Sequence, residues 1–291
     1  MDLHLKKYGT GSVILTVLIG LSIVSCSNPQ KVSTEKSLTS EFNTITVTKD
    51  IPYREGESDS WKLDLAMPSN FGSKLRQAMV VVHGGGWAFG SKSVDVYQKM
   101  MVDYAHKGYV TINVNYRLTG EAEFPACIED VKCAVRWLRA HAEELQVDPE
   151  RIGTYGHSAG AHLALMLAMV SDTAGLEGDG GWDEYSSMVT VAAAGSPPTE
   201  LGRDVPMANP VWWPIGYIAG EHPPMFLIQG TEDEIVLPER TGDFVEKMNA
   251  AGANIEYLEL ESHHGVAYND KLDITEPALE KFFAKYLHPE Q

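Results

Sequence analysis

The sequence predicts an α/β fold, with a mostly parallel central sheet of about eight strands and helices on both faces. Three observations predict it. Strand-like and helix-like segments alternate from about residue 44 to the C-terminus, the order that builds a sheet covered on both sides. The run "AMVVVH", Ala78 to His83, is continuous and β-branched, as in a strand buried on both faces. The run "SAGAHLALMLAMVS", Ser158 to Ser171, is a helix apolar enough to lie directly against such a sheet. A chain of 291 residues, 44% apolar, can bury a core of that size.

The elements follow in order. "TITVTKDIPY" and "KLDLAMP" alternate apolar and polar residues and read as an opening antiparallel pair. After "AMVVVH" comes the helix "VYQKMMVDYAHKG", closing on Gly108 as a C-terminal stop. "YVTINVNY" is the next strand. "CIEDVKCAVRWLRAHAEELQV", Cys127 to Val147, places Ile128, Val131, Ala134, Val135 and Leu138 at helical spacing, so it reads as one amphipathic helix. "ERIGTYG" is a short strand leading to the apolar helix. "MVTVAAAG" and "MFLIQG" are strands, "RTGDFVEKMNAAGA" a helix, "IEYLELES" a strand and "PALEKFFAKYL" the last helix. Residues 172–187 and 196–224 break the alternation, and long insertions after strands sit over the carboxyl edge of such a sheet, where ligands bind.

The N-terminus is a separate object. Lys6 and Lys7 precede "SVILTVLIGLSIVS", Ser12 to Ser25, a run shorter than the ~20 apolar residues of a spanning helix. A basic region and a short apolar region read as a secretory signal over 1–25. The ending "IVSC" resembles the bacterial lipobox, which implies cleavage before Cys26 and its lipidation. Residues 26–43 are polar and read as a tether, leaving a domain over 44–291. The expected location is the bacterial cell envelope, with membrane contact through the lipid only. Cys127 and Cys133 rise ~9 Å apart on a helix, beyond the ~7 Å a disulfide spans, so they are expected to be unbridged. No cysteine–histidine cluster has zinc spacing. The formal net charge of −17 argues against nucleic acid and against flat docking on an anionic membrane.

Four loops carry the chemistry. "GHSAG", Gly156 to Gly160, sets Ser158 at a strand-to-helix junction, where a tight turn would project its Oγ and the helix dipole would lie beneath it. "HGGGW", His83 to Trp87, follows the buried strand, and its glycines can turn N–H groups toward an oxyanion. Gly85, Gly86 and the N–H of Ala159 are the candidate oxyanion hole; a flexible loop or phosphate nest is the other reading. "QGTEDEIV" offers Asp233 at a strand's carboxyl end, with Glu232 and Glu234 as rivals. "ESHHGVAY" offers His264, followed by a glycine that permits a tight exposed loop, with His263 as the other choice. The chain order is serine, acid, histidine.

With these residues in hand, residues 44 to 287 resemble an α/β-hydrolase fold serine esterase. The motifs "HGGGWAFG", "VNYRL", "GHSAGAHLAL", "PPMFLIQGTEDEIV" and "HHGV" look like those of HGGG-type carboxylesterases and of the bacterial feruloyl/acetyl-xylan esterase-like branch. Ala161 stands where that family often has a further glycine, and the 196–224 segment is longer and richer in tryptophan than in simple members. The resemblance implies ester hydrolysis through an acyl-enzyme, with Ser158 as nucleophile, His264 as base and Asp233 as its orienting acid, and no metal or cofactor. It also implies a small-molecule or saccharide ester substrate, acetyl or feruloyl. Trp87, Trp212 and Trp213, with Tyr217, are candidate pocket walls; the same aromatics also read as packing for the insertion. Arg117 and Arg203 are candidate clamps for an anionic acyl group. An aryl-formamide or peptide amide hydrolase with the same triad is the alternative, and an inactive lipid-anchored binding protein a further one. Oligomeric state has no sequence signal here.

Overall fold

Residues 44–70, 72–200 and 209–288 are described by the computed structural model. The signal-like segment 1–25, the tether 26–43 with its Cys26, and Arg203 lie outside the described residues. One sheet runs through the domain. Its strands are β1 (Ile45–Pro52), β2 (Lys62–Pro68), β3 (Arg76–Val82), β4 (Val110–Val114), β5 (Val147–His157), β6 (Val191–Gly195), β7 (Met225–Gly230) and β8 (Ile255–Leu260). They lie in the order β1-β2-β4-β3-β5-β6-β7-β8. β1 and β2 pair antiparallel, as do β2 and β4, and every later pair is parallel. This is the eight-stranded, mostly parallel sheet that the alternation predicts.

The helices are α1 (Asp95–His106), α2 (Ala126–Ala140), α3 (Ala159–Met169), α4 (Pro238–Ala250) and α5 (Leu272–Leu287). Their division between the two faces follows from the two-residue period of a strand. In β3, Val80 and Val82 face a core built with Ile128 and Val131 of α2, Leu163 and Met166 of α3 and Phe244 of α4. Met79 and Val81 face the opposite core, with Tyr97 and Tyr104 of α1 and Phe282 and Phe283 of α5. Both faces of β3, β4, β6 and β7 are therefore dry, which explains their unbroken apolar runs. Register aligns the chemistry: Val82 pairs with Gly156 and His157 with Gly195, so the loops after β3, β5 and β6 leave the sheet at one level.

Three expectations need correction. The helix read over 127–147 ends at Ala140, and β5 begins at Val147 rather than Glu150. The chain leaves the helix at His141 (φ −98°, ψ 11°) without a glycine, and the His141 Nδ1 lies 2.7 Å from Trp137 O. The last helix begins at Leu272, five residues before Pro277; the proline is exposed, so the lost N–H bond falls on the solvent side. Finally, 172–187 does not cap the carboxyl edge. It follows a helix rather than a strand, and α2 grips it through Lys132 to Glu177 and Ser187, Arg136 to Glu177 and Gly181 O, and Arg139 to Ser186 and Met188 carbonyls. Cys127 and Cys133 are free and buried, and burial pushes their thiols up to about 12 and about 11.

Candidate active site

Ser158 does not cap α3; its side chain makes no capping hydrogen bond. It sits at φ 57°, ψ −123°, a strained conformation that costs about 1–3 kcal/mol and persists only where neighbours enforce it. The neighbours are visible. A Cβ on Gly156 would stand 2.1 Å from Gly160 O, and one on Gly160 2.2 Å from Val82 O. Only hydrogens fit there, so strand, turn and helix close to contact. Ser158 N–H then donates to Gly195 O at 2.8 Å, pinning the turn to β6.

The strained turn aims Oγ at the loop after β8. Ser158 Oγ lies 2.9 Å from His264 Nε2, and His264 Nδ1 lies 2.8 Å from Asp233 Oδ2. Because the buried carboxylate accepts from Nδ1–H, Nε2 is left as an acceptor facing the serine hydroxyl. Asp233 is only 2% exposed. Its Oδ1 accepts from the N–H groups of Ile235 and Val236, both at 2.9 Å, and its Oδ2 also from Gln229 Nε2 at 3.1 Å. Burial pushes this carboxyl up, but the bonds from His264, Val236 and Ile235 together outweigh it and bring it to about 2. The rivals fall away by geometry. Glu232 and Glu234 are exposed, and His263 is turned outward, its Nδ1 3.1 Å from Glu232 O.

The glycine loop packs on this turn. A Cβ on Gly84 would meet His157 O at 2.6 Å and Ser158 Cβ at 3.4 Å. Gly84 N–H donates to Tyr97 Oη at 2.7 Å, which commits it within the protein; Gly85 and Gly86 follow it in the loop, and Ala159 follows Ser158 at the start of α3. Gly85 (φ +124°) and Gly86 (φ +61°) hold the loop's reversal. Lys92, just beyond the loop, is buried and paired with Asp64 at 2.6 Å and Asp50 at 2.7 Å, which removes it as a phosphate ligand.

Around the site, Trp87 Nε1–H donates to His162 Nδ1 at 3.2 Å, and His162 Nε2 lies 2.8 Å from Trp212 O. His162 thus ties the glycine loop and the 210–217 segment to α3, four residues past Ser158. Trp213 is 5% exposed and packs edge-on against Trp87 with ring centroids 5.7 Å apart; it is support rather than wall. Trp87 and Trp212 keep partial exposure, and Phe124 packs against Trp212 at 5.2 Å. Tyr217 Oη donates to Val211 O at 2.7 Å. Arg117 is not a free clamp: its backbone N–H, Nε and Nη2 all donate to Asp130. Sequence reading missed His157, His162, Phe124 and Gln229. The histidines stood inside the GHSAG motif and on the next helical turn, where a polar side chain in an otherwise apolar stretch was the available signal.

A mostly parallel eight-stranded sheet, with a serine on a tight strand-to-helix turn after β5, an acid after β7 and a histidine after β8, is the α/β-hydrolase fold. Comparison with known proteins agrees. The family model described as BD-FAE matches residues 63–203. The chain is 28% identical to esterase LipQ of Mycobacterium tuberculosis over 244 residues, covering 75% of this chain and 56% of the relative. It is 36% identical to the arylacetamide deacetylase of Oryctolagus cuniculus over 141 residues, 47% of this chain and 35% of that one. The chain thus spans about half the length of the first of these relatives and a third of the second. Among solved structures, the apo form of Thermogutta terrifontis esterase 2 superposes with a TM-score of 0.70 at 28% identity, covering 86% of this chain and 96% of that one. A truncated carbohydrate esterase from gut microbiota superposes with a TM-score of 0.73 at 22% identity, covering 84% and 96%, and shares the fold.

Proposed function

We propose that this protein is a serine hydrolase of carboxylic esters, acting on a saccharide ester (acetyl or feruloyl) or another small carboxylester. The observation that carries the reading is the unbroken chain from Asp233 through His264 to Ser158, at 2.8 and 2.9 Å, beneath a glycine loop. Ser158 Oγ attacks the ester carbonyl carbon as its proton passes to His264 Nε2. The carbonyl oxygen becomes an oxyanion facing the N–H groups of Gly85, Gly86 and Ala159. Collapse breaks the ester C–O bond, and His264 returns the proton to the leaving alkoxide. Water then repeats the sequence on the acyl-enzyme, releasing acid and regenerating Ser158. Asp233 holds the imidazole tautomer and steadies its cation. Esterase LipQ, the carbohydrate esterase and the BD-FAE match support the ester class. The partly exposed Trp87, Trp212 and Phe124 support a ring-bearing substrate.

Fluorophosphonate labelling of the purified 44–291 domain, wild type beside Ser158→Ala, tests the nucleophile. The Thermogutta esterase has been seen phosphorylated by paraoxon, a reagent of the same kind. Labelling lost in the variant is the expected result, and a folded wild type that does not label overturns the reading. A panel of acetyl and feruloyl sugars beside an arylacetamide then separates ester from amide substrates, the second suggested by the deacetylase relative. For the cell, we propose lipid anchorage through Cys26 in the bacterial envelope, supported by Lys6, Lys7 and "IVSC". Labelled palmitate should enter the wild type and not Cys26→Ala.

A further inference from the structure

The residue before the nucleophile carries a bond that the triad itself does not explain. His157 is 5% exposed, and its Nε2 lies 2.7 Å from the backbone carbonyl oxygen of His264. A carbonyl only accepts, so His157 Nε2 carries the hydrogen and donates it. Ser196 Oγ donates to the same oxygen at 3.2 Å. The ring reaches that far because it passes over Gly195, where a Cβ would come within 3.0 Å of its Cδ2. Two residues earlier on the same face of β5, Tyr155 Oη donates to Ala267 O at 2.7 Å. β5 therefore grips the histidine loop at two carbonyls, three residues apart, and ends in the serine that the loop must meet.

We infer that His157 is a positioning residue, which holds the His264 backbone so that its imidazole stays in reach of both Ser158 Oγ and the leaving group. This rests on the esterase reading above. His264 hangs from a short turn, with its side chain fixed at one end by Asp233 and its main chain fixed by His157 and Ser196. Nε2 must accept a proton from the serine and deliver it to a second atom, so a small drift of its Cα misaligns both transfers. A displacement of about 1 Å at a reacting group lowers rates by about 100-fold. Burial pushes the His157 imidazole down to about 4, with the nearby His264 acting in the same direction, so the ring is neutral in the working range and adds no second cation beside the base.

The test compares wild type, His157→Leu, His157→Gln and Ser196→Ala on p-nitrophenyl acetate, with circular dichroism to fix the folded fraction and fluorophosphonate labelling rates at Ser158. Folded His157→Leu should lose about 10- to 100-fold in kcat and in labelling rate, with KM unchanged. His157→Gln keeps an N–H at similar reach and should recover most of the rate. A purely structural role would lower stability in both variants and leave kcat per folded molecule intact. Folded His157→Leu at the wild-type rate overturns the inference, as does His157→Gln performing no better than His157→Leu. Should His157→Leu fail to fold, Ser196→Ala decides: it removes the weaker donor to the same oxygen, a lower kcat at constant KM supports the latch, and an unchanged kcat overturns it. A wild type that neither hydrolyses nor labels brings down the esterase reading itself, and the latch with it.

Discussion

Gly160 lies so close to β3 that a Cβ there would stand 2.2 Å from Val82 O and 2.7 Å from His83 O. The contact joins the first turn of α3 to the start of the glycine loop. It makes Ser158 and the glycine loop, the proposed nucleophile and the proposed oxyanion donors, parts of one packed unit. Gly160→Ala must push α3 off the strand ends, because both partners are backbone atoms that cannot rotate away. The expected cost is at least about 2 kcal/mol by urea unfolding, with slower fluorophosphonate labelling in the molecules that remain folded. A variant of wild-type stability would mean that the two segments separate more readily than this contact implies.

Asp233→Asn exchanges a group that only accepts for one that also donates. Ile235 and Val236 N–H still need an acceptor, which orients the new amide, and its NH2 then faces His264 Nδ1. The imidazole answers by moving its hydrogen to Nε2, the wrong tautomer for taking the serine proton. The expected loss is about 10³- to 10⁴-fold in kcat with little change in KM. A second consequence concerns acid. Asp233 is held at about 2, below its ordinary 3.8, so its contribution to stability is present above about pH 4 and is lost as pH falls toward 2. Urea midpoints between pH 4 and 2 should fall less steeply in the variant than in the wild type.

Lys92 and Asp64 form a buried pair, 4% and 1% exposed on their side chains, with Gln98 Nε2 also donating to Asp64 at 2.8 Å. The pair ties β2 to the segment that leads from the glycine loop into α1. Lys92→Met leaves Asp64 charged, dry and short of its cation. The expected cost is about 3–5 kcal/mol, and Lys92→Met with Asp64→Leu should regain most of it, because the paired removal leaves no buried charge behind; Asp50, the other partner of Lys92, is exposed and stays solvated. Thermal unfolding of the single and double variants checks both expectations.

Much of this molecule was legible as sequence, for identifiable reasons. A strand dry on both faces has to be written in β-branched residues, so β3 announced itself in "AMVVVH". The elbow was legible because its close contacts admit only glycine at positions 156 and 160. Asp233 could be preferred over its acidic neighbours but not fixed, since what selects it is the return of the Ile235 and Val236 N–H groups onto its carboxylate. The end of α2 was hidden because the chain leaves the helix at His141, whose ring sits on Trp137 O, and no glycine marks the position. His157 and His162 were hidden for a longer-range reason. Their partners stand 107 and 50 residues away along the chain, and no local pattern encodes such meetings. Trp213 shows the converse: a tryptophan in an insertion invites a role at the pocket, yet its neighbours bury it.

Three buried histidines make the domain acid-sensitive well before its carboxylates protonate. His83, His157 and His162 are each pushed down to about 4 from 6.5, in every case chiefly by burial. The folded value lies below the unfolded one, so the unfolded chain binds more protons between pH 6.5 and 4. Stability from these groups is therefore full above about pH 6.5 and is lost as pH falls through that window. Each residue contributes a slope of about 1.4 kcal/mol per pH unit at most, and three together about 4. Urea unfolding at pH 7, 6 and 5 should show the stability falling progressively, and more steeply at each step. His162→Gln retains an N–H for Trp212 O but cannot titrate, so its slope should be smaller by about a third even if its stability at pH 7 is lower. Stability independent of pH between 7 and 5 would show that all three rings take up their protons while still folded, and His162, with both nitrogens already committed to Trp87 and Trp212, would then have to release the Trp87 indole to accept its proton.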